Sequence, residues 1–240
     1  MLYHSTRSDF PAVDSAQAVL EGLAPDGGLY VPSEFPAFSL EEIASLSGMN
    51  YEQRAAFVLA RFLPDFTREE LEKAIAGAYG TGFDHEAVAP MVKVGDWAHS
   101  LELWHGPTLA FKDMALQMLP QLLSAALRET GEDKTVCILV ATSGDTGKAA
   151  LAGFQDVPGI RICVFYPDGG VSDVQRRQMV SQEGENVTVC AVRGFESAPL
   201  LHISFEATTS KFIYIKILFV TAIQNLKFMG NISKKSKNIP

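Results

Sequence analysis

The segment Thr135-Val136-Cys137-Ile138-Leu139-Val140-Ala141-Thr142-Ser143-Gly144-Asp145-Thr146-Gly147-Lys148 decides the fold. An apolar, β-prone run meets two glycines and hands over to a helix-like stretch at 146–154. The alternation then repeats, with an apolar strand at 160–166, a helix at 172–182 opened by Ser172, and a third apolar strand at 187–192. Strands apolar throughout and separated by helices predict a parallel sheet covered on both faces. Just upstream, residues 112–128 carry apolar side chains at 115, 118, 119, 122, 123 and 126, which form one helical face. Pro120 predicts a kink or a late start in that helix. A short strand is expected at 101–104.

The N-terminal portion reads differently. Pro25-Asp26-Gly27-Gly28 supplies a fixed φ and residues tolerant of positive φ, so 24–31 reads as a tight turn feeding a strand. Ser39 opens a capped helix. Residues 51–63 are helical by pattern, with Ala55, Val58, Leu59 and Phe62 on one face, and Pro64 stops them. Thr67-Arg68-Glu69-Glu70 is a capping box opening a helix through Leu71, Ile75 and Ala78, ended by Gly80 and Gly82. The fold class is therefore α/β: a small, mostly helical N-terminal domain at 1–90, then a partial parallel α/β domain at 91–196.

The 240 residues are 47% hydrophobic and 20% charged, which excludes a disordered, collagen-like or coiled-coil chain. A net charge of -8 argues against nucleic acid as a partner. Cys137, Cys163 and Cys190 are too few and too widely spaced for a disulfide framework or a zinc site, and each reads as a buried structural thiol. No membrane span or secretory leader is read, so the expected location is cytoplasmic. The charge is unevenly spread. Residues 1–196 carry 14 basic and 27 acidic side chains, whereas 197–240 carry 6 lysines, no arginine and 1 acidic residue. The tail is also crowded with Ile, Phe, Asn and Ser, and reads as foreign or out-of-frame sequence. Within it, residues 212–220 are β-prone and an aggregation hazard if unpaired, and 231–240 read as disordered.

Two stretches can carry chemistry. Residues 143–147 sit where a strand meets a helix, at the carboxyl end of a parallel strand, where open α/β sheets bind ligands. Gly144 and Gly147 expose backbone N–H groups, the following helix offers its positive end, and Ser143 and Thr146 add hydroxyls; a small carboxylate or phosphate is the natural guest. A tight connection whose polar residues merely cap the helix explains the same residues. The segment is not a nucleotide P-loop, because Thr142 stands where the first glycine belongs and Ala149 where Ser or Thr must follow the lysine. Ser143 also lacks the Gly-x-Ser-x-Gly elbow of a serine hydrolase.

In the second stretch, Glu102-Leu103-Trp104-His105-Gly106-Pro107-Thr108-Leu109-Ala110-Phe111-Lys112-Asp113, an apolar triplet leads to Lys112. A lysine desolvated there would be a more nucleophilic amine, suited to Schiff-base formation. The alternative is a lysine snorkelling from a first helical turn. His105 reads as a turn histidine with satisfied hydrogen bonds, and Arg176-Arg177 as a solvated helix face. His4, His85, His99 and His202 show no metal spacing, so no metal is expected.

Taken together, residues 24–32, 102–113 and 142–147 resemble threonine synthase, and Tyr3-His4-Ser5-Thr6-Arg7 resembles the start of that family. The match runs to about Gly194. The resemblance implies the tryptophan-synthase-β-like fold and a pyridoxal 5'-phosphate-dependent lyase of threonine biosynthesis. Such enzymes convert O-phospho-L-homoserine and water to L-threonine and phosphate. By the same resemblance Lys112 is the Schiff-base and catalytic lysine, and Ser143, Gly144, Asp145, Thr146 and Gly147 bind cofactor and substrate carboxylate. Many relatives of the fold have Asn where this chain has Asp145. The resemblance also implies a chain truncated after about residue 194, without the cofactor's phosphate loop, probed best against two alternatives: a phospho-lyase acting on a related O-phospho amino acid, and a non-catalytic fragment. The truncated sheet is expected to leave apolar edges uncovered.

Overall fold

The computed structural model describes residues 1–142, 144–193 and, as backbone, 212–218. The chain opens with β1 (Tyr3–Ser5), followed by α1 (Ser15–Glu21) and β2 (Tyr30–Pro32), and the two strands pair antiparallel. The expected turn precedes β2. Gly27 has φ 77°, and the Asp26 carboxylate accepts from Gly28 N at 2.8 Å and from Ser5 Oγ at 2.7 Å, so one side chain ties turn to strand.

Capping boxes set the next helices. Ser39 with Glu42 opens α2 (Leu40–Ser45), Asn50 with Gln53 opens α3 (Tyr51–Phe62), and Thr67 with Glu70 opens α4 (Arg68–Tyr79). A hairpin follows, β3 (Met91–Val94) and β4 (Ala98–Leu101), turning at Gly95 with φ 63°. The strand expected at 101–104 therefore lies earlier. The left-handed Gly95 closes the hairpin, and the ladder is spent by Leu101.

The expected break in the next helix is present. α5 (Asp113–Leu116) stops at Gln117, and α6 (Met118–Glu129) restarts with Pro120 in its first turn, where a missing N–H costs no intrahelical bond. Then come β5 (Thr135–Ala141), α7 (Asp145–Phe154), β6 (Ile160–Pro167), α8 (Asp173–Val180) with its Ser172–Gln175 capping box, and β7 (Val187–Val192). β5, β6 and β7 lie side by side, all parallel.

Strands β5, β6 and β7 step across the sheet in one direction. Right-handed crossovers that step one way place their helices on one face; covering the second face needs a reversal. The burial pattern agrees. Val136, Ile138, Val140, Ile160, Ile162 and Val164 are buried against the helices, together with Ala149, Leu151 and Phe154 of α7. Of their alternates Leu139 is buried, Cys137, Cys163, Phe165 and Cys190 are only half-buried, and Arg161 and Thr188 are exposed. Among the described residues the expected two-sided cover is thus complete on the helix face and, Leu139 apart, only partial on the other. The buried cluster continues into the N-terminal portion through Ala16, Leu20, Leu63, Phe66 and Leu71.

β8 (Phe212–Leu218) lies in the atypical tail and pairs parallel with β5, from Thr135↔Phe212 to Ala141↔Leu218. The sheet order is β7-β6-β5-β8. The edge of β5, expected to be bare, is paired along its whole length. The polar segment 231–240 lies outside the described residues.

Candidate functional site

The turn before Lys112 is built around a buried carboxylate. Asp113 is fully buried and accepts from Thr108 N at 2.9 Å and Thr108 Oγ1 at 2.7 Å. A Cβ on Gly106 would stand 2.5 Å from that of Asp113, so only glycine lets the chain pass there. Leu109 takes φ 58°, a left-handed backbone that costs a non-glycine residue about 1 kcal/mol. Lys112 follows at the N-cap of α5.

Lys112 is half-buried, with its Nζ 4.6 Å from the centroid of the Phe111 ring. The apolar triplet does not wall it in as expected, since Leu109 and Phe111 are 67% and 60% exposed. The lysine is oriented from beneath, by the Asp113–Thr108 turn, and touched at its tip by the Phe111 π-face.

His105 braces the same turn. Its Nδ1 lies 2.6 Å from Asp84 Oδ1 and its Nε2 2.9 Å from Glu102 Oε2, and its ring stacks on Trp104. The hydrogen bonds to Glu102 and then Asp84 raise its pKa above the ordinary histidine value. It is the satisfied turn histidine the sequence suggested.

The second stretch caps α7. Gly144 has φ 155°, and Thr142 Oγ1 accepts from Gly144 N at 3.1 Å and Gly147 N at 3.2 Å. Two N–H groups expected to face a ligand are thus turned inward, which pre-forms the loop. A Cβ on Gly147 would sit 2.3 Å from Thr142 Cγ2. Thr146 is buried and Asp145 exposed, and Asp145 Oδ1 accepts from Gln175 Nε2 at 2.8 Å. Ser143 lies outside the described residues. The loop stands at the carboxyl end of β5, whose neighbours are β6 on one side and β8 on the other. Strand order departs in two directions from that point, which is where open α/β sheets place ligands.

Helix packing brings the two stretches together. α5 rests on α7 so closely that a Cβ on Gly153 would meet Leu116 O at 2.0 Å. Burial lowers the pKa of Lys148, in the first turn of α7, while the nearby Asp113 carboxylate acts to raise it. Asp113, the residue after Lys112, therefore faces the first turn of the helix that the glycine loop opens. Lys148 also hydrogen-bonds Gln182. Sequence reasoning missed Asp113, Thr108 and Gln175. The Thr-x-x-x-x-Asp spacing around a Gly-Pro turn was the available signal for the first two; nothing local links Gln175 to Asp145.

These residues fit an aldehyde cofactor with an acidic substrate in kind. They offer a lysine on a rigid turn and a glycine cradle that any side chain would fill, and Gln117 Nε2, one turn beyond Lys112, is a buried donor with no partner. Among the described residues no group of three or more His, Cys, Asp and Glu side chains could hold a metal ion, and no helix is long and apolar enough to cross a membrane.

Comparison with known proteins agrees with this architecture. Residues 2–79 match the family described as threonine synthase N terminus. Threonine synthase of Pseudomonas aeruginosa is 45% identical over 195 residues, covering 81% of this chain and 41% of that protein. The crystal structure of PLP-bound threonine synthase from Brucella melitensis superposes with TM-score 0.73 at 43% identity, over 79% of this chain and 40% of that one. The yeast threonine synthase structure gives 0.74 at 34% identity, over 80% and 40%. The chain thus spans about two fifths of the length of these relatives. On the fold, the motifs and these likenesses, the chain is similar to part of threonine synthase.

Proposed function

We propose that the chain carries the lysine and anion-loop part of a pyridoxal-phosphate site, of the kind that turns O-phospho-L-homoserine and water into L-threonine and phosphate. The supporting observation is the packing of α5 on α7, with Asp113, the residue after Lys112, near Lys148 in the first turn of the helix opened by Gly144. The proposed division is an N-terminal region at 1–90, the cofactor-binding α/β region at 91–196, and a tail at 197–240 that is foreign to the family. Three free thiols suit a reducing compartment, so the cytoplasm is the proposed location.

Bound pyridoxal phosphate would supply an aldehyde for an amine and an electron sink for charge developing at substrate carbons. Lys112 would contribute the amine, and its Nζ would hold and move protons at the substrate carbons. Asp113, fixed by Thr108, keeps the start of α5 in place. The substrate carboxylate would be received at the Ser143, Gly144, Asp145, Thr146 and Gly147 loop by the hydroxyls of Ser143 and Thr146 and by the backbone N–H groups of Asp145 and Thr146 at the positive end of α7, those of Gly144 and Gly147 being engaged by Thr142. Thr142 holds the loop in shape beforehand, which lowers the ordering cost of binding.

The test is reconstitution of the full chain with pyridoxal phosphate. A visible absorption band, and after borohydride reduction a pyridoxyl group on the Lys112 peptide, are expected, and both should vanish in Lys112→Ala. Labelling spread over surface lysines sinks the proposal. The two-fifths coverage of relatives favours one second reading, a fragment that folds but does not turn over. Phosphate release from O-phosphohomoserine by the reconstituted chain would exclude it, and release from O-phosphothreonine instead would point to the phospho-lyase activity.

A further inference from the structure

The three cysteines lie on three neighbouring strands and on one face. The register pairs Cys137 with Arg161, Leu139 with Cys163, Cys163 with Thr188, and Phe165 with Cys190. Residues in register share a face, so Cys137, Cys163 and Cys190 descend one diagonal across β5, β6 and β7. That face is the one opposite the helices. All three are free thiols and half-buried. Within the row, Cys163 Sγ and Cys190 Sγ stand 3.9 Å apart.

That separation has a chemical meaning. A disulfide needs about 2.05 Å between sulfurs and Cα atoms usually within about 6.8 Å. Diagonal neighbours on adjacent strands hold their Cα atoms about 7–8 Å apart. The pair is therefore too wide to close on itself without moving a strand. Two thiolates about 2.3 Å from one shared atom stand about 3.8 Å apart at a tetrahedral angle, and somewhat closer on a pyramidal trivalent centre. The sulfurs therefore need to approach by only about half an ångström to share one pyramidal centre, far less than a disulfide demands.

We propose that Cys163 and Cys190 form a two-thiol site for a single thiophilic centre of the trivalent-arsenical class. The class follows from the donor set. Among the described residues no three-ligand group exists, so an ion demanding four protein ligands is not served. A monosubstituted trivalent arsenical needs two sulfurs and completes its own coordination with its carbon substituent. Soft centres also favour thiolate over oxygen or nitrogen donors. Burial first, and then the neighbouring Cys190 thiol, push the Cys163 pKa up to about 12. Cys163 therefore rests as a neutral thiol, a poor nucleophile toward a simple alkylating agent. With phenylarsine oxide two As–S bonds form, the As–O bond breaks, and the two thiol protons leave with that oxygen as water; no electron changes hands. The site is independent of Lys112 and of the cofactor reading.

The full chain treated with one equivalent of phenylarsine oxide should gain, in its intact mass, one phenylarsine oxide less one water. The adduct should survive a monothiol, be stripped by a dithiol, and raise the melting temperature, because a ligand that binds the native sheet stabilises it. Cys137→Ala should behave like the parent. Cys190→Ala and Cys163→Ala should each lose both the adduct and the thermal shift, with circular dichroism showing that they remain folded; Cys190→Ser serves should the alanine variant not fold. No adduct on the parent chain, an adduct retained in the Cys190 variants, or a lowered melting temperature would overturn the proposal. So would rapid loss of two hydrogens to diamide with a Cys163–Cys190 crosslinked peptide, because that result contradicts the spacing argument.

Discussion

The two faces of the β5-β6-β7 sheet are made by alternate residues of the same strands, yet they live in different environments. Val136, Val140 and Val164 on the helix face are 0% exposed, whereas Cys163, Phe165 and Cys190 on the other keep contact with water. Composition does not explain the difference, since both rows are largely apolar. Winding direction does. Three strands stepping one way receive α7 and α8 on one side only. The difference teaches that apolar character shows what a strand is prepared to bury, while topology decides what is there to bury it.

The largest test compares two phenylalanines. Phe154 packs fully buried under the helix face, and Phe165 is half-buried on the open one. Phe154→Ala is expected to cost about 3–5 kcal/mol, and Phe165→Ala about 1 kcal/mol, measured by urea unfolding. Equal costs would break the comparison and imply an unseen cover on the open face.

Next is the close fit at the head of α7. Gly147→Ala would press a methyl against Thr142 Cγ2, with Val164 Cγ1 at 3.0 Å and Met179 Sδ at 3.1 Å behind it. A loss of about 1–3 kcal/mol is expected from overpacking. Thr142→Ser, which deletes the nearest methyl, should recover part of that loss in the double variant, and strict additivity would refute the contact. A smaller effect sharpens the same picture from the helix side. α4 packs against α6 over the covered core, so Thr67→Ala, which removes its cap, should cost about 1 kcal/mol in the same unfolding measurement.

The last concerns pH and lies away from both faces. The pKa of His105 is raised in the folded chain by Glu102 and Asp84. Its contribution to stability is then complete below the unfolded histidine value and lost as pH rises through the folded value. The urea midpoint should fall across that window in the parent chain and change less in His105→Gln. A parent profile no steeper than that of the variant would show that the two carboxylates do not hold the ring charged.

The features visible in the sequence are short-range ones. Ser39, Thr67 and Ser172 cap the helices they were expected to open, and their boxes close on Glu42, Glu70 and Gln175, because a capping box is completed within one turn. β5 and β7 span the expected residues, since an unbroken apolar run bounded by turns has few other local solutions. The break before Pro120 follows from its missing N–H. Lys112 could be nominated from its surroundings in the chain, although Leu109 and Phe111, expected to bury it, are themselves largely exposed.

Contacts between distant residues were settled by packing. That Asp113 receives Thr108, that Gln175 reaches Asp145 across 30 positions, that His105 bridges Asp84 and Glu102, and that β8 pairs with β5 all depend on elements meeting in space. So does the uneven cover of the sheet. The amino-acid sequence by itself determined where helices and strands start and stop, because backbone sterics and capping act over a few residues. Tertiary structure alone decided which apolar face is buried and which thiols stand side by side, because handedness and strand order are properties of the whole path and are written in no single segment.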